Sequence, residues 1–221
     1  MPSSAVLPPP PPPVEIRSWP DRTSLLADRA AVLGELVGRH VGGRRLALLL
    51  TWGGLAALGW AFIGSAVTVF EESLDPISDL PGVVLLVVGL GTLATAAVFL
   101  VIDGARARKV RALLAGWGAL DRDAERDRLL RMPGLGLTWL LLSYALCAVG
   151  LFTCVAVPAS ATPGEDTYGS VVLGMGAGLM VWITGLIGAV TAVSHRRWAL
   201  RVLAAPAEVP GRRTAAAGGA G

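Results

Sequence analysis

Four stretches of the chain, residues 46–70, 82–102, 135–157 and 170–194, contain no Asp, Glu, Lys, Arg or His. Each runs for 21 to 25 residues. At about 1.5 Å per residue even the shortest crosses the roughly 30 Å hydrocarbon layer of a bilayer as a helix. Buried soluble helices rarely stay uncharged for so long, so the pattern predicts four transmembrane helices. Two short acidic segments, 71–81 and 158–169, join them pairwise into hairpins. One long basic segment, 103–133, joins hairpin to hairpin.

Outside the spans the polar pattern changes period. Between residues 18 and 45, Leu26, Ala30, Leu33, Val37 and Val41 recur at helical spacing, while Asp28, Glu35 and Arg39 fall off that stripe. This predicts an amphipathic helix at the inner membrane surface or against the connector. Ser18 is placed to cap it, with Pro20 and Asp21 in its first turn, and Gly42 and Gly43 let the chain turn into the first span. In the connector, Val110, Leu113, Leu114 and Trp117 make a second apolar stripe, flanked by Arg106, Arg108, Lys109 and Arg111. Gly116 and Gly118 weaken the helix there. A charged helix is expected from about Leu120 to Arg131, with Asp123–Arg126, Glu125–Arg128 and Asp127–Arg131 as neighbouring pairs.

The expected architecture is an all-α integral membrane protein. Its four transmembrane helices form two parallel-repeat hairpins packed as an antiparallel four-helix bundle, with amphipathic helices on the inner surface. The divisions are a Pro-rich, disordered N-terminus (1–17), a cytoplasmic amphipathic helix (18–45), a first hairpin (46–102), a basic connector (103–133), a second hairpin (134–194) and a basic, then disordered, tail (195–221). The six prolines Pro8 to Pro13 favour an extended polyproline helix with no core of its own.

Composition agrees with lipid as the solvent. The chain of 221 residues is 53% hydrophobic and only 16% charged, against about a quarter charged in soluble domains. A net charge of +3 and a pI near 9.4 raise nucleic acid as a partner, but the placement of the charges argues for headgroups instead. Of the 19 Lys and Arg residues, all lie in the N-terminal segment, the connector or the tail, and neither short loop has one. The positive-inside rule then puts both termini and the connector in the cytoplasm of a cell membrane. Every basic residue except Lys109 is arginine and Ala and Gly abound, the codon signature of a GC-rich bacterial genome.

The chain also matches itself at an offset of 87 residues. Thr51 and Trp52 fall on Thr138 and Trp139, Pro76 and Asp79 on Pro163 and Asp166, and Gly82, Gly89 and Gly91 on Gly169, Gly176 and Gly178. There are 14 identities in the 57 aligned pairs, where chance in so biased a composition gives roughly one in ten. Both copies enter the membrane from the same side, so the repeats are parallel.

The sequence carries little that could do chemistry. Ionisable groups within a membrane mark proton and ion paths, and the spans have none. His40 and His195 are isolated, and Asp103 and His195 sit at inner span ends, within reach of water. Cys147 and Cys154, seven residues apart on one helix, stand about 10 Å apart, too far to bridge. With Ser143 and Gly150 they form a small-residue stripe for packing. The acidic loops carry six carboxylates but no calcium-loop spacing. No catalytic, cofactor or metal residue is therefore assigned.

Candidate helix-packing positions are Gly53, Ala57, Ala61 and Ser65, spaced by four, and the pair Gly174 and Gly178. Candidate headgroup or partner contacts are Arg106, Arg108, Lys109 and Arg111. The expected function is that of a non-enzymatic accessory, scaffold or membrane-complex subunit. Its partners are the bilayer and a membrane or cytoplasmic protein, with a second copy of the chain as a further candidate. The alternative is a small oligomeric channel or transporter subunit.

Overall fold

The computed structural model describes residues 7–13, 19–121, 127, 133–162, 164 and 166–203. These form five helices and, among the described residues, no strand: α1 (Arg22–Val41), α2 (Gly43–Glu72), α3 (Leu80–Gly118), α4 (Pro133–Ser160) and α5 (Tyr168–Leu203). Helices α2 to α5 are each long and apolar enough to cross a membrane. They overrun the uncharged stretches, most of all α3, which continues unbroken from residue 102 to Gly118.

Asp21, rather than Ser18, caps α1: its carboxylate accepts the Ser24 backbone N–H at 2.8 Å. That hydrogen bond holds Asp21 below the usual carboxylate range. Ser18 lies outside the described residues, as do the expected pairs Asp123–Arg126 and Glu125–Arg128. Gly42, in extended conformation, ends α1 and starts α2. A Cβ there would lie 2.0 Å from the Gly38 carbonyl oxygen, so only glycine fits the corner.

The four long apolar helices form a row in the order α3, α2, α5, α4. Each packs on its neighbour, and among the described residues the outer pair, α3 and α4, make at most slight contact. Among the described residues the four helices are thus arranged more as an open row than as the expected bundle closed on all four sides. The reason lies in where the small residues sit. Helix α2 offers Gly59 to α3 and Gly53 and Gly64 to α5. Helix α5 offers Gly169 and Gly176 to α2, and Gly174, Gly178 and Gly185 to α4. Both central helices are thus notched on two flanks, whereas α3 and α4 are notched on one. Close backbone approach is what helices gain from in lipid, so each helix takes as many neighbours as it has notched faces. At the two hairpin crossings, a Cβ on Gly59 would lie 2.8 Å from the Leu93 nitrogen, and one on Gly150 would lie 2.5 Å from the Trp182 nitrogen. Between the hairpins, the Trp60 indole fills the notch at Gly176 and donates to the Val172 carbonyl at 3.2 Å.

The positions paired by the 87-residue offset carry unlike contacts. Trp52 stacks on Phe99 at 4.2 Å between ring centroids, whereas Trp139 is buried and donates to the Val41 carbonyl on α1. Gly82 meets the Phe70 ring of its own hairpin, and Gly169 meets Thr68 and Glu71 of the other.

Large buried side chains gather at one end of the row, where α1 docks. Leu33, Leu36, Val37 and Val41 of α1 are all fully enclosed. They pack with Val110, Leu114 and Trp117 of α3 and with Trp139 of α4. Of the apolar stripe expected for this helix, Leu33, Val37 and Val41 are buried while Leu26 and Ala30 are half-buried. The helix lies against the α3 extension, one of the two places its pattern allowed.

Candidate functional site at the basic end

Two charged constellations organise the end of the row where α1 docks. In the first, Arg29 lies on the buried face of α1 and grips Asp127 with both terminal nitrogens, Nη1 to Oδ1 at 2.6 Å and Nη2 to Oδ2 at 3.3 Å. Both partners are almost fully buried. The bidentate fork matches the carboxylate geometry and fixes the connector onto α1. Sequence spacing pointed Asp127 toward Arg131, which is not among the described residues; the partner it takes here is Arg29.

The second centres on Arg45 at the start of α2. Its Nε donates to Asp103 Oδ2 at 3.3 Å, and its Nη1 reaches the His40 carbonyl oxygen at 2.7 Å and His40 Nδ1 at 3.0 Å. A guanidinium only donates, so Nδ1 accepts and the proton of the neutral ring sits on Nε2. Nε2 is buried with no hydrogen-bond partner among the described residues. Burial, then Arg45, His195 and Arg111, push the His40 pKa down to about 3.

His40 and His195, isolated in sequence, meet with ring centroids 6.1 Å apart, and His195 stacks on Trp198 at 5.7 Å. His195 is buried rather than at a watery span end. Trp198 in turn donates to the Leu114 carbonyl at 3.2 Å, tying α5 to α3. No periodicity rule links residues so distant in the chain.

Beside this constellation opens a cleft of about 400 Å³. One wall is the face of α3 bearing Gly104, Ala107 and Arg111, and the other is the face of α5 bearing Ile183, Leu186, Ile187, Val190, Thr191 and Ser194. His40 and Arg45 line it as well, beside Arg111.

The proline run, expected to be disordered, is seated over residues 7–13. Trp117 Nε1 donates to the Pro9 carbonyl at 3.1 Å, and Leu7 packs against the α1–α3 core. A polyproline segment on an indole is a familiar recognition pairing, here made within one chain.

Arg106, Arg108, Lys109 and Arg111 stand on the α3 extension, all exposed, and none joins an ion pair among the described residues. The packing candidates divide. Gly53 is buried against Thr184 and Gly178 against Gly150 and Cys154, while Gly174, which faces Val157, is half-buried, as are Ala57, Ala61 and Ser65. Cys154 Sγ donates to the Met175 carbonyl at 3.3 Å, and Ser143 fills the notch at Gly188, so the small-residue face of α4 lies against α5.

The opposite, acidic end spends its carboxylates on backbone. Asp75 accepts from the Ile77 and Ser78 N–H groups at 2.9 and 3.0 Å, which lowers its pKa, and Glu71 accepts from Gly169 N at 2.9 Å. Among the described residues no three His, Cys, Asp or Glu side chains converge.

The chain matches no family model, no curated protein and no solved structure.

Proposed function

We propose that this is a multi-pass protein of the bacterial cell membrane, built from two parallel hairpins, with its termini and basic end in the cytoplasm, and that it serves as a non-enzymatic accessory or scaffold subunit. The observation that carries the reading is the α3 extension. One of its faces is locked into a core through Val110, Leu114 and Trp117, while Arg106, Arg108 and Lys109 stand exposed without counter-ions among the described residues. Cations held on a rigid rod lose little freedom when an anionic surface meets them. Their partner is then an acidic face on a cytoplasmic protein, and the small-residue faces hold the helices beside one another.

Photo-cross-linkers placed at positions 108 and 109 should give a discrete adduct in cells, lost when Arg106 and Arg108 become Glu. Background adducts unaffected by the reversal would refute the scaffold reading. Tags at either terminus that label from outside intact cells would refute the orientation.

The open row favours a second reading. Copies closing edge to edge, α3 against α4, would enclose a path lined by Thr, Ser and Gly, as in a small channel or transporter subunit. Reconstituted protein without ion or solute flux would remove it.

A further inference from the structure

The cleft between α3 and α5 joins two chemistries along one axis. Its deep wall is apolar: Ile183, Leu186, Ile187 and Val190 share a face of α5 within the uncharged span and remain partly exposed. Its mouth is cationic, formed by Arg111 on α3 and Arg45 on α2. Arg45 is held in place by Asp103 and His40, so its side chain is already ordered, whereas Arg111 is exposed and enters no ion pair among the described residues. Asp103 offsets one of the two positive charges and leaves the other uncompensated.

An apolar wall at hydrocarbon depth below a net positive mouth at headgroup depth is the polarity sequence of an anionic phospholipid read from tail to phosphate. A water-soluble anion would gain nothing from the apolar wall. A neutral lipid would gain nothing from the uncompensated guanidinium. We propose that this cleft is a site for one anionic phospholipid, whose phosphate meets Arg111 and Arg45 and whose acyl chain lies along Ile187 and Val190. The site rests on the membrane placement of the spans and on the orientation that puts Arg111 in a headgroup layer. It does not rest on the scaffold role.

The test uses the full chain in neutral detergent, with bound lipid counted by native mass spectrometry after exchange into phosphatidylglycerol or phosphatidylcholine. Three variants carry it. Arg111→Glu reverses the mouth. Val190→Trp fills the wall without touching charge, at a position already 61% exposed. Lys109→Glu makes the same charge change at nearly the same height, but two residues before Arg111 on α3 it stands on the opposite side of the helix.

Tightly bound phosphatidylglycerol, about one per chain and well above phosphatidylcholine, is expected for the wild type. Removing one cation at a headgroup should cost about fivefold in occupancy, and reversing it more. Arg111→Glu and Val190→Trp should both reach that loss, while Lys109→Glu stays near wild type.

Equal losses from Lys109→Glu and Arg111→Glu would mean general attraction to a basic surface and would overturn the site. Undiminished binding in Val190→Trp would overturn it as well. Displacement by excess inorganic phosphate, or equal retention of phosphatidylcholine, would show that tail and headgroup are not read together. If the scaffold reading fails because cross-linking finds no partner, these lipid counts are unaffected.

Discussion

The two halves of this molecule bury opposite kinds of residue. At the basic end, Leu33, Leu36, Val37, Leu114 and Trp139 are enclosed, as in a water-soluble core. In the row of spans the enclosed residues are small, among them Gly53, Ala56, Gly59, Gly64 and Gly89. The large ones, such as Phe152, Val155 and Val87, face outward. In water the energy of assembly comes from removing large apolar groups from solvent. In lipid that term vanishes between helices, and what remains is close contact, which small residues permit. Both patterns of burial occur within one helix. Along α3, buried Gly82, Gly89 and Ala96 give way to buried Val110, Leu114 and Trp117.

The largest effect is expected at the buried ion pair. Arg29→Ala leaves the Asp127 carboxylate buried and unpaired, and should cost about 3–5 kcal/mol. Thermal unfolding of the detergent-solubilised chain should register it. The double change Arg29→Met with Asp127→Leu should recover most of the loss, because it removes both charges.

Next come two truncations that differ only in their solvent. Leu33→Ala should cost about 2–5 kcal/mol, since it opens a cavity in a packed core. Phe152→Ala, at a side chain 73% exposed in a span, should cost within about 0.5 kcal/mol, because the group stays among hydrocarbon in either state. Equal costs at the two sites would mean that the row is not solvated by lipid.

A pH titration sharpens the same contrast. His40 is held neutral with a pKa near 3, below the ordinary 6.5. The unfolded chain therefore binds the proton more readily between those values. Its contribution is constant above about pH 6.5 and is lost as the pH falls toward 3, by at most about 1.4 kcal/mol per unit. His40→Gln should flatten that acid limb and leave stability above pH 7 little changed.

A smaller loss than at Arg29 or Leu33 is expected at the strap. Trp117→Phe deletes the hydrogen bond to Pro9 and should cost about 0.5–1.5 kcal/mol. In a chain lacking residues 1–13 the same substitution should cost nothing further, as a double-mutant cycle would show.

What the sequence made legible was whatever one helix encodes alone. The four spans announce themselves by lacking charge, and the stripe containing Leu33, Val37 and Val41 by its period. What it hid was every contact between distant segments. Arg29 shares the buried stripe of α1 but looks like one more surface cation, because its acid lies in the connector, where Arg131 stands at helical spacing as a decoy. His40 and His195 have no neighbours of their kind in sequence, and only the docking of α1 across the end of α5 brings them together. The order of the row was equally hidden. Glycines such as Gly59 and Gly64 are visible as notches, but a notch does not say which helix fills it. The basic cluster from Arg106 to Arg111 was visible as a patch, whereas its division into a free face and a cleft mouth depends on α5 lying opposite Arg111 and not Lys109.

Helix α3 has one more consequence. Its 39 residues run from Leu80 to Gly118 without a break, a rod of about 58 Å. The acidic turn holds one end, and the Trp117 indole under the proline strap lies at the other. With no joint between them, twisting the rod about its axis turns the strap's anchor by the same angle. A rotation imposed anywhere along its length therefore reaches the core that Val110, Leu114 and Trp117 share with α1.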